Sequence, residues 1–374
     1  QTNDPVTRAL TGTDGGFSFD VTPGVYYLRV EAQGFASFPV KNAAPLPVTV
    51  LSQQTTLLPV YLVKDPQATS VGSFSGTIST GGAPVEGALV VITRNGDSLG
   101  VSNVSGPDGV FILYNVPSGT YTVEVYRAGY QQVSAPSVTI TASEALQGVS
   151  LTMAPANGLI SGKITFLASS NSFVDITLVH QVTRDPIPGL RTMNSSNFDY
   201  LLSGIAPGSY LVWASYLNDG YVMDPDRIRK FGLPSVTFTH TDSARVVDCW
   251  VTDAIKILAP TNAPDSLFAR VITDDTPTFR WEKYPSAKEY ILKVVAQNGE
   301  VVWGGYNEDG TINHPQVNAQ TDSATFNFDG SATGRLVPGE VYRWKVYCDR
   351  DDAPGIQGLL SSSEDQQGLF VIAP

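Results

Sequence analysis

Three histidines, two cysteines and three short acidic runs are the residues whose chemistry could make this 374-residue chain an enzyme or a metal protein. His180, His240 and His314 fall on different strands or loops. No His-x-x-x-His or Cys-x-x-Cys spacing is present to hold a metal, and no nucleophile sits in a recognisable elbow. The histidines therefore read as surface or turn residues. GTDGG and STGGAP lie at hairpin turns and do not open a helix, so neither is a phosphate loop. The acidic runs are NDGYVMDPD (218–226), NEDG (307–310) and DRDDAPG (349–355). Calcium needs six to eight oxygens, and none of the runs has the EF-hand spacing. They read as solvated turns, with a site built from 349–352 plus another loop as the calcium alternative. No catalytic residue, cofactor-binding residue or metal ligand is assigned.

Aromatic side chains could bind by stacking. Register with the inward Tyr26, Leu28 and Val30 turns Tyr27 outward, and the same register turns Tyr126 and Trp213 outward in later copies of the motif. Trp303 sits in an irregular insert, WGGYNEDGTINHPQVN. These four are the expected interface or glycan contacts, against cross-strand packing or cover by a neighbouring domain. Cys249 alternates in step with Val247 and Val251, and Cys348 with Tyr342, Trp344 and Val346. Both face cores, and the cores belong to different domains, so free buried thiols are expected rather than a disulfide.

The elements that must position these residues are short strands. Runs of alternating apolar residues lie between Gly, Pro, Asn and Asp clusters, and no long helical period appears. Three segments share one pattern: GGFSFDVTPGVYYLRVEAQGF (15–35), DGVFILYNVPSGTYTVEVYRAGY (108–130) and SNFDYLLSGIAPGSYLVWASYLNDGY (196–221). Each has an aromatic strand, a Pro/Gly turn, a Gly-x-Tyr start and a closing Gly-aromatic pair. The turn glycines Gly24, Gly119 and Gly208 are 95 and 89 residues apart. In the middle copy, strands are expected at FSGTIS, GALVVITR, LGVSNVS, VFILYNV, TYTVEVYR, SVTIT and GVSLTM, which makes an antiparallel sandwich. Phe17 and Phe19 of the first copy are expected to alternate inward like Phe111 and Leu113. The third copy carries an extra run, LNDGYVMDPDRIRKFGL.

Residues 70–153 resemble the carboxypeptidase regulatory-like domain, a transthyretin-like sandwich. The resemblance rests on SGTI, Pro84, Gly87-Ala88, Asp108-Gly109-x-Phe111 and Pro117-x-Gly119-x-Tyr121. It extends to the first copy and more weakly to the third, where Ser196-Asn197 replaces the Asp-Gly turn. It implies a non-catalytic module appended to peptidases, receptors and bacterial surface proteins. In DDTPTFRWEKYPSAKEYILKV and LVPGEVYRWKVYC, Trp281, Tyr290 and a Leu336-to-Tyr342 corner resemble a fibronectin type III-like domain. Similar bacterial sandwiches are stiffened by lysine–asparagine or lysine–aspartate cross-links. Residues 65–156 contain no lysine, which rules such a bond out there, and ARVVDCWV offers Lys163 no asparagine, which disfavours one in the third copy.

The expected fold is all-β: four tandem antiparallel β-sandwich domains, immunoglobulin- or transthyretin-like. Residues 1–64 form an incomplete carboxypeptidase regulatory-like sandwich, 65–156 a complete one, 157–254 a divergent one, and 255–374 the fibronectin type III-like one. The first lacks a counterpart of the two-strand run VGSFSGTISTGGAPVEGALVVITRN (71–95). Either upstream residues supply those strands, or another molecule adds a strand in their place.

The formal charge of −12 and the absence of a basic stripe exclude nucleic acid and anionic membranes as partners. No apolar run approaches the length of a membrane helix. Residue 1 is Gln, so the chain reads as a processed product or a fragment. NVS at 103 and NSS at 194 match glycosylation acceptors. Short Pro-containing junctions favour a semi-rigid rod. The expected function is a non-catalytic extracellular or cell-surface structural protein, bacterial by resemblance. It would be a spacer, adhesive or filament subunit that self-associates or binds other surface proteins or glycans. The alternative is a carbohydrate- or protein-binding accessory region of a larger secreted enzyme.

Overall fold

The computed structural model describes residues 7–38, 46–62, 64–65, 68–94, 100–216, 218–239, 243–263, 269–296, 301–305, 315–350 and 358–373. The fold is all-β, in several mainly antiparallel sheets. Pro225–Phe231 is the single helix among the described residues.

The second repeat is a two-layer sandwich. One sheet runs Ser137–Ile140, Gly119–Tyr126, Leu89–Thr93, Gly100–Val104. The other is built on Val71–Thr80, flanked by Val110–Pro117 and Ala145–Pro155. All seven expected strands are present, and two short ones, Ala83–Pro84 and Tyr130–Gln132, join them. Two or three residues are too few to show an alternation, which is why the sequence hid them. Between the sheets Phe74, Ile92, Phe111, Leu113 and Val123 are fully buried, with Phe74 and Phe111 edge to face at 5.2 Å. Asp108 makes the expected turn: its Oδ1 accepts from the Val110 amide at 3.0 Å, and Gly109 takes φ +73°.

The third repeat follows the same plan. Asp175–His180 pairs with both Pro186–Met193 and Gly208–Ala214, facing a sheet centred on Gly158–Phe166. Its extra run forms the helix. Asp224 caps it by accepting from the Asp226 amide at 3.0 Å, Pro225 starts it, and Gly232 at φ +74° ends it.

The last 120 residues hold a third sandwich, its core made by Phe279, Trp281, Tyr290, Trp344 and Phe370. Trp281 and Tyr290 lie 5.1 Å apart. The Tyr342 hydroxyl accepts from the Val337 amide at 2.7 Å and donates to Glu340 at 2.6 Å. In each of the three sandwiches an early strand pairs parallel with a late one. The pairs are Val71–Thr80 with Ala145–Pro155, Gly158–Phe166 with Cys249–Asp253, and Arg270–Ile272 with Leu369–Ile372.

The first segment departs from expectation. Its one described sheet pairs Gly24–Leu28 with Leu46–Val50. Phe17 and Phe19 sit side by side at 5.7 Å outside any strand. Leu10, Leu57 and Tyr61 are 72 %, 87 % and 81 % exposed. A two-stranded ribbon has no second layer to bury its apolar face against, so no sandwich core forms there among the described residues.

Cys249 and Cys348 are free and buried in separate cores. Burial pushes the Cys249 thiol up to about 12 and raises that of Cys348 as well, which keeps both inert at neutral pH.

Candidate functional site, a glycine joint repeated at three junctions

Each repeat closes on a Gly-aromatic pair: Gly34-Phe35, Gly129-Tyr130 and Gly220-Tyr221. The three glycines share one left-handed backbone conformation, φ +81°, +81° and +89°. A side chain would be strained there. Each glycine carbonyl accepts from the linker leaving its own repeat. Asp65, Ala156 and Ala254 donate at 3.1, 2.9 and 2.9 Å. Each glycine amide points the other way, into the next domain. Gly34 donates to Asn115 Oδ1 at 2.6 Å, Gly129 to the Gly204 carbonyl at 2.8 Å, and Gly220 to Glu364 Oε1 at 2.5 Å. One peptide group thus ties the outgoing chain to the receiving domain, three times over.

The receivers are built locally. Asn115 and Gly204 occupy equivalent places, six residues before Tyr121 and Tyr210, and both have positive φ, +55° and +77°. At the first joint Asn115 also donates Nδ2 to the Ala32 carbonyl at 3.0 Å and the Phe35 carbonyl at 2.6 Å. At the second joint the receiver must be glycine. A Cβ on Gly204 would lie 2.5 Å from the Gly129 nitrogen, and one on Gly189 would lie 2.7 Å from Ala128 Cβ.

Side chains extend each joint. Arg29 donates to the Ser102 carbonyl at 2.9 Å and lies 3.9 Å from Asp185 of the third repeat, while Asn103 donates to Glu31 at 2.8 Å. The second and third repeats share one hydrophobic cluster, in which Leu89, Val91 and Tyr126 pack with Ile176, Val212 and Tyr210. At the third joint Trp213 Nε1 donates to Asp365 at 3.0 Å, Lys345 pairs with Asp365 at 2.5 Å, and Arg350 pairs with Asp226 of the helix at 3.0 Å.

The expected contact residues are redistributed by this packing. Tyr126 does not face solvent: it is 3 % exposed, edge to face with Tyr210 at 5.6 Å. Thr120, Thr122 and Glu124, on the same face of its strand, stay exposed or half-buried, and the third repeat covers only the end that carries Tyr126. Trp303 is 1 % exposed, in the strand Val301–Gly304, with its ring against Phe326 and Phe328 and its Nε1 on Asp329 at 2.9 Å. It belongs to the core, because its strand pairs with Glu289–Ala296 instead of leaving the sheet. Trp213 is half-buried in the third joint. Tyr27 lies in the strand Gly24–Leu28, and its side chain is outside the described residues.

His180 is not a surface histidine either. It is 3 % exposed between the second and third repeats, 5.2 Å from the Tyr126 ring, with Nε2 3.8 Å from Glu124. His240, His314, 307–310 and 351–355 lie outside the described residues. Of the acidic runs, 218–226 belongs to the third joint. Among the described residues no cluster of three or more His, Cys, Asp or Glu could hold a metal. No described helix is long and apolar enough to cross a membrane.

Residues 73–154 match the carboxypeptidase regulatory-like domain. That stretch is the second repeat, the best-formed sandwich of the three copies. No curated protein matches the chain by sequence. Among solved structures, the Bacillus anthracis TIE protein is similar at 14 % identity and TM-score 0.20, over 81 % of this chain and 48 % of that one. The chain thus spans about half of the TIE protein. A streptococcal ancillary pilin is similar at 13 % identity and TM-score 0.21, over 61 % of this chain and 76 % of that one. The minor pilin of Streptococcus agalactiae is similar at 14 % identity and TM-score 0.23, over 50 % of this chain and 99 % of that one. The carboxypeptidase regulatory-like match covers one sandwich and reaches none of the other domains that the joints tie to it.

Proposed function

We propose that the chain is a non-catalytic structural protein of the cell surface or extracellular space. It holds a ribbon segment and three sandwich domains, divided at 64, 156 and 254, at fixed spacing and orientation. The observation that supports this reading is the glycine joint. A chain that only needed flexible tethering would not direct the same amide of three repeats into the following domain. The reading implies protein partners, either copies of itself or other surface proteins. The fibronectin type III-like identity of the last domain belongs to the same proposal, supported by its Trp281, Tyr290 and Tyr342 geometry.

Small-angle scattering on the 374-residue chain tests it. The expected curve is that of one rigid particle, and Asn115→Ala and Gly204→Ala each broaden the distance distribution. A wild-type curve already matching freely jointed domains would overturn the reading.

A second reading has its own observation. Arg227 lies between the Phe231 and Trp250 rings, 5.4 and 5.2 Å from their centres, beside a cavity of about 110 Å³ lined also by Asp224 and Asp248. An aromatic wall with carboxylates suits a sugar edge or a peptide side chain. Retention on glycan gels, lost in Trp250→Ala, would favour an accessory binding role.

A further inference from the structure

The third joint differs from the other two in its receiver. Asn115 and the Gly204 carbonyl cannot titrate, whereas Glu364 can. Glu364 is 5 % exposed, its Oε1 takes the Gly220 amide, and its Oε2 is buried without a hydrogen-bond partner. A carboxylate oxygen left bare in a dry interface is costly, while the protonated acid is far less so.

The charges around it give Glu364 no counter-ion. From the turn before Tyr221–Met223, Asp219 faces it. Asp365, its neighbour in sequence, is held by Lys345 and by Trp213. On the strand Val341–Asp349, Arg343 is drawn to Asp365 and Tyr216. On Asp175–His180, Asp175 is paired with Arg191 and adds a negative charge behind Asp219. Arg350 is engaged by Asp226 of the helix. What remains is the buried Glu364 beside the half-buried Asp219, with the backbone amides of Gly220 and Asp219 turned toward Glu364.

We propose that the third joint is latched by a proton: Glu364 holds Gly220 as a neutral carboxylic acid and loosens its hold on the third repeat when it ionises. This rests on the joint reading above. Burial first pushes Glu364 up to about 8, against the hydrogen bonds it accepts from the Gly220 and Asp219 amides, and the charges of Asp219 and Asp365 add to the rise. Burial, and Asp175 behind it, push Asp219 up to about 6, against the hydrogen bonds it accepts. Solvated in an open joint, Glu364 returns to its ordinary value of 4.5. An acid whose closed-state pKa is raised stabilises the closed state fully below its ordinary value. That contribution is lost as pH rises, and is gone above about 8. The last domain is thus docked in mildly acidic surroundings and loosened in alkaline ones.

Hydrogen exchange of the full chain tests this, because the molecule carries its own controls. After correction for intrinsic rates, protection of the Gly220 amide is expected to fall by at least about tenfold between pH 5.5 and 7.5. Protection of Gly34 and Gly129 stays flat, since their acceptors do not titrate. Glu364→Gln keeps an oxygen for the Gly220 amide and cannot ionise, so its profile is protected and clearly shallower, keeping only the contribution of Asp219. A flat wild-type Gly220 profile, or an equally steep one in Glu364→Gln, overturns the latch. Restoration of Gly220 protection at pH 8 by millimolar calcium overturns it too, since the site would then hold a cation rather than a proton. Unprotected Gly34 and Gly129 amides would instead sink the joint reading itself.

Discussion

Single residues decide whether these domains touch. At Gly204 a methyl group would meet the Gly129 nitrogen at 2.5 Å and its Cα at 2.8 Å, on a residue already at φ +77°. Left-handed strain and a forced backbone shift together cost about 2–4 kcal/mol. Gly204→Ala should therefore lower the unfolding free energy of the second and third repeats by that amount, read from the shift of the urea midpoint at unchanged slope. Tryptophans separate joint from core in the same way. Trp303→Ala should cost the last domain about 3–5 kcal/mol, the range for a fully buried aromatic. Trp213→Ala should leave that domain's own melting nearly unchanged and loosen its attachment, read as faster exchange at Gly220. The sequence showed the closing glycines as a repeated Gly-aromatic pair. Their role was hidden, because the partners Asn115, Gly204 and Glu364 are respectively 81, 75 and 144 residues away and of three chemical kinds. His180 was hidden for a related reason: nothing local marks a histidine whose burial comes from another domain's Tyr126.

At the scale of elements, alternation told the truth about one face of each strand and was silent about the other. Leu89–Thr93 is buried at four consecutive positions, and Asp175–His180 at all six. Val90 and Ile92 fill their own sandwich, while Leu89 and Val91 fill the cluster shared with the third repeat. A continuous apolar run such as LVVI is the mark of a strand covered on both sides, and it stands in GALVVITR. Replacing Leu89 by Asp should spare the inner core and strip the interface. The second and third repeats, expected to melt in a single calorimetric transition, should then separate into two. The first segment shows the converse. Its Tyr26/Leu28 strand has the right alternation, but pairing with Leu46–Val50 alone supplies no opposing layer, so pattern without a partner sheet makes only a ribbon.

At the scale of the whole molecule, the repeats make one continuous body from the Arg29 contacts to the last domain, through a shared core and three peptide-group ties. The parallel pairing of early and late strands gives that body a direction of strength. Where a domain's entry and exit strands run side by side in the same sense, tension between its two ends slides them past one another. Every hydrogen bond of the ladder must then yield together rather than one after another. Pulling the second repeat by its ends should accordingly demand a much higher force than pulling across its Leu89–Thr93 and Gly100–Val104 hairpin, which would unzip bond by bond. Single-molecule force spectroscopy with handles at the two pairs of positions measures the difference. A protein that spaces other molecules under drag gains from such an arrangement, since the direction in which it would be stretched is the one in which its sheets resist as a unit.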